Sequence, residues 1–70
     1  MRLAKAARVL AALERDGWIE VRRRGSHRIL VKADVQRVFA YHDTVDLGRS
    51  KLVRVAKDFG YSLAELRRMV

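Results

Sequence analysis

Two histidines are the most chemically versatile side chains of this 70-residue chain, and one of them sits among closely spaced cations. His27 follows Gly25-Ser26 and is flanked by Arg24 and Arg28, and His42 follows Tyr41. Imidazole titrates near neutrality, so a histidine can take a proton from a ribose 2′-hydroxyl or give one to a leaving oxygen. Arginines on either side of it supply charge for holding a phosphate and for stabilising the negative charge that develops on it. Arg49, Ser50 and Lys51 form a second basic group at what reads as the start of a helix, where free N–H groups and the helix dipole already favour an anion. The chain has no cysteine, which excludes disulfide staples, cysteine zinc sites and thiol catalysis. Two histidines with scattered carboxylates fall short of a four-ligand zinc site, so no metal and no cofactor are expected.

The charge is unevenly placed. Sixteen Lys and Arg against eight Asp and Glu leave +8. Residues 1–32 carry a balance of +6, residues 33–48 of −2 and residues 49–70 of +4, so two basic blocks flank an acidic waist. Such a chain is expected to associate with a polyanion, nucleic acid first. Half the residues are hydrophobic, which supports a folded unit over a basic tail. A chain of this length buries only about 60% of its unfolded surface, enough for one layer of helix on sheet. No apolar run has the length of a membrane span or signal segment, and the expected setting is the cytoplasm. With no linker-like run and no internal repeat, residues 1–70 read as one domain.

The elements that must hold these groups follow from periodicity. Leu3, Ala6, Ala7, Leu10 and Leu13 recur at helical spacing between Arg2 and Asp16, and Asp16-Gly17 ends that helix. From Trp18 to Arg24 the pattern turns to period two, with Ile19 and Val21 alternating with Glu20 and Arg22. Gly25-Ser26 is a turn, Arg28 to Lys32 a second strand, Asp34 to Gln36 a weaker turn and Arg37 to His42 a third strand. Three arginines in succession, Arg22, Arg23 and Arg24, cannot share one face of a strand. Leu52, Val55, Ala56 and Phe59 then mark a second long helix that Gly60 stops. Ser62 with Glu65 is a capping-box signature, so Leu63 to Met69 is read as a short last helix. The expected fold class is α+β: an α-β-β-β-α unit with a three-stranded antiparallel sheet, helices on one face and a short C-terminal helix. That order resembles the double-stranded-RNA-binding architecture. Trp18 and Phe59 read as core, while Phe39 and Tyr41 could also stack a base on the open sheet face.

Gly17-Trp18 at a strand start, the basic turn through Gly25-Ser26-His27, Tyr41-His42, and Asp46-Leu47-Gly48-Arg49-Ser50-Lys51-Leu52 occur in one order from about Leu10 to Ser62. Together they resemble the HicA toxin family. The resemblance implies a double-stranded-RNA-binding-like fold, metal-independent cleavage of mRNA and neutralisation by a HicB-type antitoxin. His27 matches the family's catalytic histidine, Gly25 the glycine that lets the backbone approach substrate, and His42 the second histidine. Arg22, Arg24, Gly25, Ser26, Arg28, Arg49, Ser50 and Lys51 are the expected RNA contacts. The chain departs from the family in having Arg28 where a further histidine is frequent, no glycine in Ala33-Asp34-Val35-Gln36, and no proline before the second histidine or at the second long helix.

Two other functions fit the same residues. A non-catalytic RNA-binding module would use the same basic groups through counterion release. A DNA-binding regulator fits less well, because the chain has no Asn and only Gln36 to offer base edges an amide.

Overall fold

The computed structural model describes residues 4–41 and 46–70. The elements are β1 (Ala4–Lys5), α1 (Ala6–Arg15), β2 (Ile19–Arg24), β3 (His27–Lys32), β4 (Val35–Ala40), β5 (Asp46–Leu47), α2 (Arg49–Phe59) and α3 (Leu63–Met69). The expected α+β order is present, with β2, β3 and β4 forming an antiparallel sheet in that order. A two-residue ladder joins β1 to β5, pairing Ala4 with Leu47 and Lys5 with Asp46. That ladder is too short to leave a periodic signal. It also delays the first helix: Lys5, still extended at ψ 142, is the residue before α1, where the pattern placed the start at Arg2.

Helices cover one face of the sheet. Leu30 and Phe39 project from β3 and β4 into a cluster with Ala6, Val9, Leu10 and Leu13 of α1, Leu52, Ala56 and Phe59 of α2, and Leu66 of α3. Trp18 joins them edge-on to Phe59, with ring centroids 4.7 Å apart, and both are core residues as expected. Phe39 lies 6.4 Å from Phe59, so three aromatics from separate elements meet. Burial of each large apolar side chain here contributes about 1.5–3 kcal/mol. On α1 the buried stripe is Ala6, Val9, Leu10, Ala12 and Leu13, while Ala7, expected inside, is exposed.

The end of α1 is tied to the C-terminal region by polar groups. Trp18 Nε1 donates to the Tyr61 hydroxyl at 2.9 Å, the Tyr61 hydroxyl donates to Asp16, and Lys32 Nζ donates to the same carboxylate at 2.9 Å. The Tyr61 and Lys32 bonds hold the Asp16 carboxyl below its ordinary range. Partial burial, with the Asp16 bond second, raises the Tyr61 hydroxyl. At the last helix the expected capping box is complete: Glu65 N–H donates to Ser62 Oγ at 3.0 Å and Ser62 N–H donates to Glu65 Oε1 at 2.8 Å. Gly60, at φ 84, closes α2 in the left-handed conformation that glycine adopts without steric cost.

The two hairpins are tighter than periodicity suggested. Gly25 and Ser26 are the whole first loop, because Arg24 pairs with His27, so β3 begins one residue early. Ala33 and Asp34 are the whole second loop, because Lys32 pairs with Val35. The expected turn at Asp34 to Gln36 is therefore displaced, and Val35 and Gln36 belong to β4. The cause is Ala33, which takes φ +53 and so makes a two-residue loop without glycine. β4 ends at Ala40, and His42 lies outside the described residues.

Candidate functional site

Register decides which side chains share the uncovered face. Leu30 is fully buried under the helices, so Arg28 and Lys32 flank it on that side, and His27, Ile29 and Val31 project from the opposite side. His27 stands directly across from Arg24 on β2 and from Ala40 on β4. Arg22 lies opposite Ile29, two residues further along the same side. The open face thus carries Arg22, Arg24 and His27 together, all exposed, at the end of the sheet where the Gly25-Ser26 loop turns. Gly25 holds φ +57, a value that L side chains adopt only at steric cost, and this fixes the direct Arg24–His27 pairing. The Ser26 carbonyl accepts a 2.6 Å bond from Tyr41 N–H, which extends the β3–β4 ladder past the loop.

Arg28 does not join this group. Alternation sends it to the helix side, where its guanidinium donates to Glu20 Oε1 at 3.0 Å and lies 4.3 Å from the centre of the Tyr41 ring. Its side chain is only 15% exposed. Arg23 donates to the other Glu20 oxygen at 3.1 Å. The Arg28 hydrogen bond is the leading reason, with Arg23 behind it, that the Glu20 carboxyl sits below its ordinary range. Arg28 Nε is buried without a hydrogen-bond partner among the described residues. Of the cations named around His27, Arg24 faces it and Arg28 braces the opposite side of the sheet. Arg23, the middle of the triplet, is the one on the helix side, where it stays exposed at the margin of the sheet.

A β-bulge explains the inversion along β2. The register shifts between Glu20 and Arg22, so Val21 is the extra residue, Glu20 comes to lie opposite Leu30, and Ile19 lies opposite Val31 on the open side. Ile19 and Val21 are 65% and 57% exposed. Phe39 is 1% exposed and Tyr41 lies under Arg28, both on the helix side, so neither expected stacking aromatic is on the open face.

The second basic group lies at the first turn of α2. Arg49, Ser50 and Lys51 are exposed, and Gly48 precedes them with no side chain to cap the helix. The first turn has no acidic residue, so its N–H groups and two cations make an anion-favouring end. Lys51 lines a groove of about 270 Å³ that also takes Val38 and Ala40 of β4 and Arg54, Val55 and Asp58 of α2. Ala40 is the cross-strand neighbour of His27, so this groove brings Lys51 alongside the strand next to the histidine. Arg54 is not among the expected RNA contacts; its place i+3 from Lys51 is the sequence signal that the two share one helix face. A larger cleft of about 540 Å³ is lined by Lys5, Arg8 and Arg67 with Asp46. These cations come from opposite ends of the chain, and no local pattern could have joined them.

No helix among the described residues is long and apolar enough to cross a membrane. No curated protein and no solved structure matches the chain. The family model described as "HicA toxin of bacterial toxin-antitoxin" matches residues 6–63. That span runs from the first residue of α1 to the first of α3 and includes the basic hairpin, the open face and the α2 start. The chain therefore belongs to the HicA family of toxins from bacterial toxin–antitoxin systems.

Proposed function

We propose that this toxin is a metal-independent endoribonuclease that cleaves mRNA in the cytoplasm and is neutralised by a HicB-type antitoxin. The observation that carries the reading is the direct pairing of Arg24 with His27 on an uncovered, cationic sheet face. In the reaction His27 takes the proton of a ribose 2′-hydroxyl as that oxygen attacks phosphorus, or returns a proton to the departing 5′ oxygen. The new 2′ O–P bond and the broken P–O5′ bond leave a 2′,3′-cyclic phosphate and a 5′-hydroxyl. Arg24, beside the histidine, balances charge on the phosphoryl oxygens, and Arg22 holds a neighbouring phosphate. Gly25 and Ser26 let the backbone approach the RNA, and Arg49, Ser50 and Lys51 anchor a further phosphate at the start of α2. His42 is a second candidate proton carrier. Arg28, paired with Glu20 and stacked on Tyr41, serves the site by bracing the sheet beneath it.

The test is RNA incubated with purified protein in EDTA, followed by end-group analysis. Cleavage with cyclic-phosphate ends that disappears in a folded His27→Ala variant is expected. Undiminished cleavage by that variant would remove His27 from the reaction. A second reading, an RNA-binding module without cleavage, is favoured by one observation: the cross-strand neighbours of His27 are an arginine and an alanine, so among the described residues no second acid–base group pairs with it across the sheet. It predicts salt-dependent RNA binding and intact RNA at any protein excess.

A further inference from the structure

The outer edge of β4 is built differently from the face that carries His27, and its role does not depend on whether His27 cleaves RNA. The Ala33-Asp34 loop makes Lys32–Val35 a hydrogen-bonded pair, and Tyr41 N–H bonds Ser26 at the far end. Alternation between these two ends means that Val35, Arg37 and Phe39 spend their backbone groups on β3. Gln36, Val38 and Ala40 therefore aim their N–H and C=O groups away from the sheet. β4 is an edge strand, paired only with β3 among the described residues. The Gln36 carbonyl is taken by the Arg37 guanidinium at 2.7 Å, which leaves the outward groups of Val38 and Ala40.

Edge strands are normally blunted by a proline, a bulge or an outward charge. The β4 pairing carries no register shift, the chain has no proline, and the one charged side chain of the strand, Arg37, bonds the Asp58 carbonyl at 2.9 Å. Val38 is 51% exposed. Alongside this edge runs the groove of about 270 Å³, floored by Leu47, Val55 and Phe59 and bordered by Lys51 and Arg54. Those two cations are about 4.5 Å apart along the helix axis, short of the roughly 6.8 Å between alternate residues of a strand by a distance that long, flexible Lys and Arg side chains span. Asp58 on the same border opposes a phosphate backbone, and among the described residues of the groove no exposed aromatic offers a base a stacking surface.

We propose that the free edge of β4 receives an extended strand of a protein partner, with alternating apolar and acidic residues, which adds to the sheet as a fourth strand. Its backbone bonds Val38 and Ala40, its carboxylates turn to the helix side and meet Lys51 and Arg54, and its apolar side chains lie on the open face beside the exposed Val38.

The test titrates the ¹⁵N-labelled full chain with a blocked Val-Glu-Val-Glu-Val-Glu peptide, with Val-Lys-Val-Lys-Val-Lys as its counterpart, and follows backbone amides by NMR. The acidic peptide is expected to shift Val38 and Ala40 and slow their hydrogen exchange at millimolar concentration, about the affinity of a short unconstrained strand. The basic peptide should leave both unchanged. Val38→Pro removes the outward donor at a position where an edge strand tolerates proline, and should abolish the shifts. Arg54→Glu, a surface change that leaves the strand intact, should weaken the acidic peptide by at least about fivefold. The proposal fails if both peptides act alike, if shifts fall on Arg22, Arg24 and His27 in place of the edge, or if neither peptide moves Val38 and Ala40. It also fails if a short RNA moves these two amides and the acidic peptide does not.

Discussion

Exchanging the loop residues Gly25 and Ala33 between glycine and alanine tests whether backbone conformation at the two hairpins holds the candidate site in register. Both residues have positive φ, +57 and +53, but only one is glycine. An added Cβ at Gly25 would meet no atom within 4 Å, so Gly25→Ala introduces no clash with neighbours and its cost is conformational alone. The left-handed region costs an L residue about 1–2 kcal/mol. Alanine returns about 0.4–1 kcal/mol by restricting the unfolded chain. The net loss for Gly25→Ala is therefore about 1 kcal/mol, which for a domain of this size lowers Tm by about 4–8 °C. Ala33→Gly reverses each step and should raise stability by about 0.5–1 kcal/mol. The loops lie at opposite ends of β3, about 20 Å apart, so the double variant should return to the parent value within about 0.5 kcal/mol. Thermal and urea melts followed by circular dichroism read all four proteins. RNA cleavage adds the functional reading, with Gly25→Ala reducing activity by disturbing the Arg24–His27 pair and Ala33→Gly leaving it intact. If Gly25→Ala is as stable as the parent, or if Ala33→Gly destabilises, the loop argument is wrong.

Other perturbations separate the roles of individual side chains. Leu30→Ala empties a fully buried site between the sheet and the helices and should cost about 3 kcal/mol in urea melts, within the usual 2–5 kcal/mol range. The Asp16 carboxyl is held low in the folded protein, so its contribution is complete above the ordinary carboxylate pKa and is lost as pH falls through the lowered one. Asp16→Asn should accordingly flatten the acid limb of stability against pH, and parallel curves for parent and variant would contradict the Tyr61–Asp16–Lys32 link. For RNA binding, Arg24→Ala should reduce the slope of log affinity against log salt by about 0.7–0.9. Arg28→Ala should leave that slope unchanged while lowering Tm, because its charge is spent on Glu20 and Tyr41.

Much of the arrangement was legible from local pattern. The two long helices, the capped last helix and the first hairpin follow from apolar spacing, Ser62 with Glu65, and Gly25-Ser26, because each of those signals lies within a few residues of the structure it specifies. The direct Arg24–His27 pairing is nearly implied once a two-residue loop is recognised. What escaped local reading depends on partners distant in sequence. Arg28 looked like a companion of His27 because they are neighbours in the chain, yet adjacent strand residues face opposite ways. The alternation of Ile19 and Val21 with Glu20 and Arg22 does not say which pair faces the helices, and charge pairing of Glu20 with Arg28 and Arg23 claims that side. The β1–β5 ladder spans two residues on each strand and has no periodicity to detect.

The bulge at Val21 gives β2 two phases, one on each side of a single valine. If the strand ran regularly from the hairpin, Val21 would oppose Leu30 and Glu20 would oppose Val31, so the two aliphatic residues would enter the interior and the carboxylate would leave Arg28. The arginine triplet would keep its outward pair, because it lies on the hairpin side of the slip. The strand thus behaves like a vernier: its Trp18 end can be reset by one notch while the cations beside His27 stay where they are. Replacing Glu20 with an aliphatic residue would favour the other notch and free Arg28 from its carboxylate without moving Arg24. Changes to the foundation of the sheet are therefore separable from changes to its working surface.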